Sequence, residues 1–457
     1  YQHGTPAVEA SNAHTKNEKA DWLIEPKLVY LKYSDSLVDS GQPIELKIPF
    51  VNNTSQQQKM TARLQIMDTW EQPVGAFEDI TLDLAPSQKK TVKRSYTVDR
   101  YGCYKLRITD TGNPDLLKEI TSFGCLPKGT PPNHPFFGAH VNGTRNMPEM
   151  ARRIGFSKNR VHNMTQFTWW DRLEPQKGEW DIKANQQRAY QRYLDLGFEH
   201  YGQWFGAPYW AVKKSDGTHP ADPKGYAYPN GMKPSDEKAF RQYITRSIES
   251  FPQIKQWEMW NEPYVSRFFH GSPDQYFEIC RMMYQQAKSV RPDLEIFAQL
   301  PYDSPWLDRV LELGILNYCD GVAFHNYYSA LAHPQSIIVS VNKIRKRLKD
   351  YGKENIPLIN SESGLRGTTF LRGLDIPEYS PEQLKKPFQF REAACMNIQS
   401  NVVLMSLGLQ ARYFYFHQPV NIQKGRAYPT YTTCEITRSP LPMAISQAAL
   451  VWQLDGG

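Results

Sequence analysis

Several features that mark common protein classes are missing from this 457-residue chain. Its six cysteines form no Cys-x-x-Cys pair, which argues against a disulfide scaffold and a structural zinc site. No apolar run reaches the length of about 18 residues that a transmembrane helix needs. The 54 basic and 47 acidic residues are interspersed, and no basic tract indicates nucleic-acid binding. Because 40% of the residues are apolar, we expect a folded globular protein.

Aromatic residues and a modest positive charge are what the composition does offer. The chain has 26 Tyr, 21 Phe and 11 Trp residues, and exposed aromatic rings of this kind suit stacking on sugar rings. The formal net charge of +7 fits either an ordinary solvated surface or affinity for an anionic saccharide.

The residue pattern divides the chain into four segments. Residues 1–25 are polar and patternless, and we expect a disordered leader. Residues 26–127 contain short β-rich runs separated by turn-forming residues, which predicts an all-β sandwich. Residues 128–135 read as a proline-rich linker, and residues 136–457 as one large domain. The strands predicted in the sandwich are 28–32, 44–51, 62–67, 91–98, 104–109 and 118–123.

Short apolar strands alternate with amphipathic helical stretches throughout residues 136–457. Eight strand–helix units over about 320 residues fit an α/β fold of the (β/α)8 type, the TIM barrel. A doubly wound sheet is the alternative, but no Gly-x-Gly-x-x-Gly follows the first strand. The eight predicted strands are 137–141, 158–162, 199–204, 256–260, 295–299, 321–325, 357–361 and 412–416.

Two glutamates fall at predicted strand ends, where the functional residues of such barrels lie. Glu262 ends the fourth strand in Trp-Glu-Met-Trp-Asn-Glu-Pro, and Glu362 ends the seventh in Ile-Asn-Ser-Glu-Ser-Gly. These strands face each other across the barrel mouth, so we expect the two carboxylates to converge there. Glycosidic cleavage needs such a pair, one protonated to assist the leaving oxygen and one ionised to attack or to activate water.

The Trp-Asn-Glu-Pro motif with a glutamate ending strand seven resembles clan A of the retaining glycoside hydrolases. The segment Trp170-Asp-Arg-Leu-Glu-Pro-Gln-Lys-Gly-Glu-Trp-Asp181 looks like a loop of families 39 and 42 and their relatives. The resemblance covers roughly residues 136–455 and implies Glu262 as general acid/base and Glu362 as nucleophile. It also implies chemistry that needs neither a metal nor an organic cofactor.

The resemblance extends to residues that would contact substrate or nucleophile. It implies that Asn261 binds the sugar 2-hydroxyl, that Tyr327 hydrogen-bonds the nucleophile, that His325 lines the same subsite and that Arg160 keeps the nucleophile ionised. From their positions alone, His140 is expected to contact sugar hydroxyls and Trp210 to provide a stacking platform. One departure is that strand eight has no Trp, so Phe416 or His417 is expected to substitute.

Several alternatives compete with these assignments. Glu258 shares strand parity with Glu262 but lies deeper, where a pair with an arginine explains it better. Glu174 looks structural, because its Glu-Pro loop caps the second strand. A metal-dependent hydrolase is a further alternative, because three strand ends carry a histidine (His140, His162 and His325). Strand one, however, lacks the His-x-His pair that such a site would use. Cys103 and Cys125 could form a disulfide or remain two buried thiols.

The sequence thus predicts a retaining β-glycoside hydrolase that cleaves a plant or algal oligo- or polysaccharide. The basic net charge adds the option that this substrate is anionic. The alternative is a non-catalytic glycan-binding protein on the same fold. We expect a secreted, periplasmic or cell-surface bacterial protein without a nucleic-acid partner. For a retaining enzyme, the two carboxyl groups should lie about 5–5.5 Å apart.

Overall fold

The computed structural model describes most of the chain. The described residues are 22–31, 36–162, 165–180, 182, 184–213, 231–328, 333–365, 370–372, 390–417, 422–423, 426–427, 433–434 and 437–454. Residues 1–21 of the predicted leader lie outside them, and residues 24 and 25 belong to the first strand. No helix among the described residues is long and apolar enough to cross a membrane.

Among the described residues of the N-terminal part, nine strands form two sheets. They are β1 (Ile24–Pro26), β2 (Leu37–Asp39), β3 (Pro43–Asn52), β4 (Gln58–Asp68), β5 (Pro73–Ala76), β6 (Ile80–Leu84), β7 (Lys89–Thr97), β8 (Gly102–Asp110) and β9 (Asn113–Leu126). One sheet has the order β1-β3-β7, and the other has the order β2-β9-β8-β4-β5, with β6 paired to β4. Alternating residues of the two sheets meet in one apolar core, as Leu46 and Ile48 do with Leu64 and Leu106.

Some of the predicted strands differ from those observed in this region. Residues 28–31, within the predicted strand 28–32, form no strand, although the Val29 N–H donates to the Ile120 carbonyl at 2.8 Å. The short strands β1, β2, β5 and β6 were not predicted, because three to five residues give too few alternations to recognise.

Cys103 and Cys125 are two buried free thiols. In the β8–β9 pair, Cys103 lies opposite Gly124 and Cys125 lies opposite Gly102. The two cysteines are therefore one register position apart and point to opposite faces of the sheet. Cys103 belongs to the core shared with the barrel and Cys125 to the core between the two sheets.

The prediction of a (β/α)8 barrel is confirmed. Its parallel strands close in chain order and are β10 (Phe137–Val141), β11 (Lys158–Arg160), β12 (Glu199–Trp204), β13 (Gln256–Met259), β14 (Glu295–Gln299), β15 (Gly321–Tyr328), β16 (Leu358–Leu365) and β17 (Ala411–His417). The described helices around it are α1 (Met147–Arg153), α2 (Trp170–Leu173), α3 (Ala184–Asp195), α4 (Glu237–Ser250), α5 (Pro273–Val290), α6 (Pro305–Glu312), α7 (Gln335–Asp350), α8 (Phe390–Ser406) and α9 (Pro442–Leu454). Two short antiparallel strands, β18 (Ile422–Gln423) and β19 (Arg426–Ala427), follow the last barrel strand.

Large side chains fill the barrel below its mouth. Tyr201 and Tyr413 stack with ring centroids 5.0 Å apart, and Phe297 packs edge-on against Tyr201. Gly138 makes room for this layer, because a Cβ there would lie 2.4 Å from the Tyr413 ring. The interior is thus a packed core, and polar chemistry is confined to the carboxyl ends of the strands.

The N-terminal sheets pack directly on the barrel. The Arg153 guanidinium on α1 donates to the Asp39 carboxylate at 2.6 Å. The Ser122 hydroxyl on β9 donates to the Ser439 hydroxyl at 2.8 Å, both groups being buried. These contacts tie the sheets to the barrel on two sides.

The positions of the six cysteines predict their reactivity toward a thiol reagent. Only Cys395 is exposed, so the folded protein should react at one thiol quickly and the unfolded protein at six. The counts should be the same with and without prior reduction. Four reactive thiols in the unreduced, unfolded protein would indicate one disulfide. A disulfide between Cys103 and Cys125 would contradict their placement on opposite faces of the sheet.

Candidate active site

A single buried arginine joins the strand ends at the barrel mouth. Arg160, the last residue of β11, is completely buried. Its guanidinium donates to the Glu258 carboxylate at 2.8 and 2.5 Å, to Glu362 Oε2 at 2.9 Å and to Asn261 Oδ1 at 2.9 Å. The side chain therefore links β11 to β13, to the residues after β13 and to β16.

Glu258 lies deeper in the barrel than Glu262 and Glu362, and both of its carboxylate oxygens accept hydrogen bonds. Besides the Arg160 ion pair, it accepts hydrogen bonds from Ser361 Oγ at 2.5 Å and from Gln203 Nε2 at 3.1 Å. No part of Glu258 reaches solvent. The interpretation of Glu258 as the partner of an arginine is confirmed, and its role is to hold that arginine.

Glu362 lies three residues before the end of β16 and faces the mouth. One carboxylate oxygen accepts a hydrogen bond from the Tyr327 hydroxyl and the other from Arg160. The β15–β16 register shifts here, so His325 pairs with Glu362 whereas Phe324 pairs with Asn360. Such a shift re-aims side chains. Burial raises the pKa of Glu362, while the Arg160 charge and the Tyr327 hydrogen bond oppose that rise.

Glu262 stands on strained backbone just beyond β13. Its φ is +40° and that of Trp260 is +68°, a region that bulky residues rarely adopt. One carboxylate oxygen lies 2.7 Å from His325 Nδ1. Burial raises the pKa of Glu262 to about 6, against the opposing charges of Arg160 and Arg267. Burial also lowers the pKa of His325 to about 4, so near neutral pH this contact is a hydrogen bond to an uncharged ring.

The two glutamates converge at the mouth. One oxygen of Glu262, one oxygen of Glu362 and one ring nitrogen of His325 all lie within 4.8 Å of one another. The same three atoms are of the types that ligate a divalent cation, as the metal-dependent alternative requires. This bound on one oxygen of each carboxylate fits the separation of about 5–5.5 Å expected for a retaining pair.

Asn261 presents a polar atom to the same space. It is completely buried, and its Oδ1 accepts from Arg160. Its Nδ2 has no hydrogen-bond partner among the residues that the structure describes. A buried amide N–H without a partner is costly, and a hydroxyl acceptor on a bound ligand would satisfy it.

His140 belongs to the site, and strand eight contributes an aromatic residue there. His140 Nε2 lies 3.2 Å from the Ser361 carbonyl and 4.0 Å from Glu362 Oε2. The Tyr415 ring packs edge-on against His140 at 4.9 Å and against Tyr327 at 6.2 Å. Tyr415 therefore lies where a strand-eight aromatic was expected. The side chains of Phe416 and His417, proposed for that place, lie outside the described residues.

Trp210 is not among the residues that the described contacts bring together around Glu262 and Glu362. Its Nε1 donates to the Glu174 carbonyl at 3.1 Å, its ring packs edge-on against Trp170, and Lys177 Nζ lies 5.7 Å from its centre. Glu174 accepts from Trp170 Nε1 at 2.8 Å and from the Gly178 N–H at 2.8 Å, which agrees with its structural interpretation.

Sequence reasoning missed several polar supports of this site. Gln203 on β12 hydrogen-bonds to His162 Nδ1, to Glu258 and to the Trp260 carbonyl. Ser361 holds the second oxygen of Glu258. Strand parity offered a signal for Gln203, because it lies two residues after the inward-facing Tyr201. No sequence signal identified Ser361, because the register shift in β16 breaks the alternation.

Comparisons with known proteins bear on the fold. No protein-family model matches the sequence, and no curated protein sequence matches it either. Among solved structures, a family 39 glycoside hydrolase from Bacteroides cellulosilyticus WH2 matches with a TM-score of 0.58 and 14% identity over 94% of this chain and 83% of that one. A glucosidase from Croceicoccus marinus matches at 0.52 and 12% identity, covering 72% of this chain and 69% of that one.

A third solved structure belongs to the same group of folds. The family 39 enzyme from Xanthomonas axonopodis pv. citri matches with a TM-score of 0.52 and 16% identity over 70% of this chain and 67% of that one. The family 39 resemblance seen in the motifs is therefore matched by a likeness of fold. At these identities the likeness extends to architecture and not to activity.

Removing the arginine should test its structural weight. Arg160→Met leaves Glu258 and Glu362 buried without their charge partner, and we expect a loss of about 3–5 kcal/mol in the free energy of unfolding. Denaturant titration measures it. Arg63→Met is the matched control, because its pair with Asp79 at 2.9 Å is exposed and should contribute little. Equal losses would contradict the central role of Arg160.

Proposed function

We propose that this chain is a retaining β-glycoside hydrolase acting by double displacement, with Glu362 as nucleophile and Glu262 as general acid/base. The observation that carries the proposal is the pair of carboxylates at the barrel mouth, one buried and one partly exposed, with one oxygen of each within 4.8 Å of the other and each group in a different environment. Glu362 is held by a permanent positive charge, whereas Glu262 contacts an uncharged imidazole. Environments that differ in this way divide acid and nucleophile roles.

In the first step, a carboxylate oxygen of Glu362 attacks the anomeric carbon as the glycosidic C–O bond breaks. The proton of Glu262 passes to the leaving oxygen, so the aglycone departs as an alcohol. In the second step, Glu262 takes a proton from water, whose oxygen attacks the same carbon and frees Glu362. The stereochemistry at that carbon is inverted twice and therefore retained.

The remaining site residues have supporting roles in this proposal. Asn261 Nδ2 donates to the sugar 2-hydroxyl, a contact that strengthens as positive charge develops at the anomeric carbon. Tyr327 and Arg160 orient Glu362, and His325 orients Glu262. His140 and Tyr415 line the floor of the subsite that holds the reacting sugar.

The substrate that we propose is a plant or algal oligo- or polysaccharide, met outside the cytoplasm by a secreted, periplasmic or cell-surface protein. The aromatic-rich composition supports a saccharide, and the net charge of +7 supports including anionic ones in the search. The alternative, glycan binding without cleavage, predicts retained binding and no product.

Hydrolysis should depend on Glu362. Across 4-nitrophenyl β-glycosides and a panel of glycans with uronic-acid-rich and sulfated members, Glu362→Gln should lower kcat by about 10⁴-fold or more relative to wild type. Glu249→Gln on α4, an exposed surface residue, is the control and should retain full activity. Assays in excess chelator test the metal-dependent alternative, and we expect unchanged rates. Product release by Glu362→Gln at the wild-type rate would contradict the assignment.

The pH profile should report the proton on Glu262. Because the acid must be protonated and its pKa is raised to about 6, kcat/KM on an oligosaccharide should fall as pH rises above about 6. In Glu262→Gln this alkaline limb should disappear. Azide, which needs no general base, should restore turnover of a 2,4-dinitrophenyl glycoside by this variant. An alkaline limb that survives in Glu262→Gln would assign the proton to another group.

Retention can be read from the first product. Proton NMR during hydrolysis of a β-glycoside should show the β-anomer of the released sugar before mutarotation. Initial release of the α-anomer would indicate inversion, which normally requires carboxyl groups about 6.5–9.5 Å apart.

A further inference from the structure

A buried charge cluster in the N-terminal sheets binds the chain segment that follows the proposed nucleophile. Residues 370–372 lie in the connection between β16 and α8, and β16 carries Glu362. The Glu119 backbone N–H on β9 donates to the Arg372 carbonyl at 2.9 Å. In return, the Arg372 backbone N–H donates to the Glu119 carboxylate at 2.8 Å. One residue of the sheet thus fixes the backbone of the connection through two reciprocal bonds.

The cluster behind this contact is deeply buried. Glu119 is completely buried, and Lys105 is 1% exposed. Lys105 Nζ lies 3.0 Å from Glu119 Oε1 and 2.5 Å from Glu71, and Arg107 donates to Glu119 at 2.7 Å. Each charge therefore has opposite partners, as burial requires.

The barrel side completes the cluster. The Arg372 guanidinium lies 3.3 Å from Glu71, and the buried Phe370 ring has Lys105 Nζ 4.4 Å from its centre. Phe370 also packs edge-on against Phe390, the first residue of α8. The segment is therefore bound both to the sheets and to the helix that follows it.

The backbone of β9 is shaped for this contact. The β8–β9 register shifts between Leu106, which pairs with Thr121, and Arg107, which pairs with Glu119. The additional residue is Ile120, whose side chain is buried in the core between the two sheets. A bulge of this kind re-aims neighbouring side chains, here Glu119 toward the barrel.

In a (β/α)8 barrel, connections from a strand to the following helix build the rim of the active site. We propose that Glu119 is a positioning residue that fixes this rim segment and thereby sets affinity for the part of a glycan chain beyond the reacting sugar. The inference rests on the proposed hydrolase function. It gives the N-terminal sheets a role in substrate selection, although Glu119 contacts no reacting atom.

The first test compares a short and a long substrate. The probes are the 4-nitrophenyl β-glycoside that the wild-type enzyme cleaves fastest and the β-linked tetrasaccharide of the same sugar. We expect Glu119→Gln to raise KM for the tetrasaccharide at least tenfold while kcat on the aryl glycoside stays within twofold. Arg372→Ala, altered at a partly exposed side chain, should shift the same ratio less, because the backbone bonds remain. Asp79→Asn, which breaks an exposed pair in the same sheets, is the control.

The second test is physical and independent of activity. Hydrogen exchange should show the Arg372 amide protected in the wild-type protein and at least tenfold faster in Glu119→Ala, with unchanged exchange in β12 and β13. If the tetrasaccharide and the aryl glycoside lose activity in equal proportion in both Glu119→Gln and Arg372→Ala, Glu119 is merely structural and the proposal is wrong. If the wild-type protein cleaves nothing, the proposed function fails. Exchange at the Arg372 amide still decides whether Glu119 holds this segment.

Discussion

The buried guanidinium of Arg160 is the interaction on which the site depends. A side chain with five donors in a fixed plane can satisfy acceptors from three residues at once, and here it does so for Glu258, Asn261 and Glu362. A lysine in this position would supply the charge but not the planar set of donors that bonds several acceptors at once. A buried cation needs opposite charge close by. The position of Arg160 therefore constrains where the carboxylates of Glu258 and Glu362 can lie.

A regular barrel alone would not bring these groups together. Strand ends set the approximate positions, whereas the final aim comes from irregular backbone: positive φ at Trp260 and Glu262 and the register shift in β16. Several hydrogen bonds hold the strained turn. The Trp260 carbonyl accepts from Gln203, the Trp260 ring N–H donates to the Phe268 carbonyl at 2.9 Å, and the Val265 N–H donates to the Glu262 carbonyl at 2.8 Å. Strain stored this way persists only because the surroundings overdetermine the conformation.

The sequence predicted the barrel well, because long alternating strand–helix units carry a strong periodic signal. It also brought Glu262, Glu362, Arg160, Asn261, His325 and Tyr327 to one place, since strand-end position is nearly sufficient to group residues in this fold. It did not find Ser361 or the role of Tyr415, because both depend on which face of a strand a residue takes after a register shift. The expectation that Trp210 provides a stacking platform stays a prediction, and the hydrogen bond from its ring to the Glu174 carbonyl is a contact that no local pattern encodes.

Desolvation raises the pKa of both proposed catalytic carboxylates, so burial alone cannot divide their roles. What differs is the charge of their neighbours. Glu362 faces Arg160, which is charged at every relevant pH, whereas Glu262 faces His325, which is uncharged above a pH of about 4. In the proposed mechanism the proton shared by the pair is therefore on Glu262 before reaction, because the direct contact with Arg160 favours the ionised form of Glu362. In the proposed mechanism the negative charge of Glu362 disappears when it becomes an ester, and the loss of a like charge within 4.8 Å should lower the pKa of Glu262. The group proposed to donate a proton in the first step would thereby be prepared to accept one from water in the second.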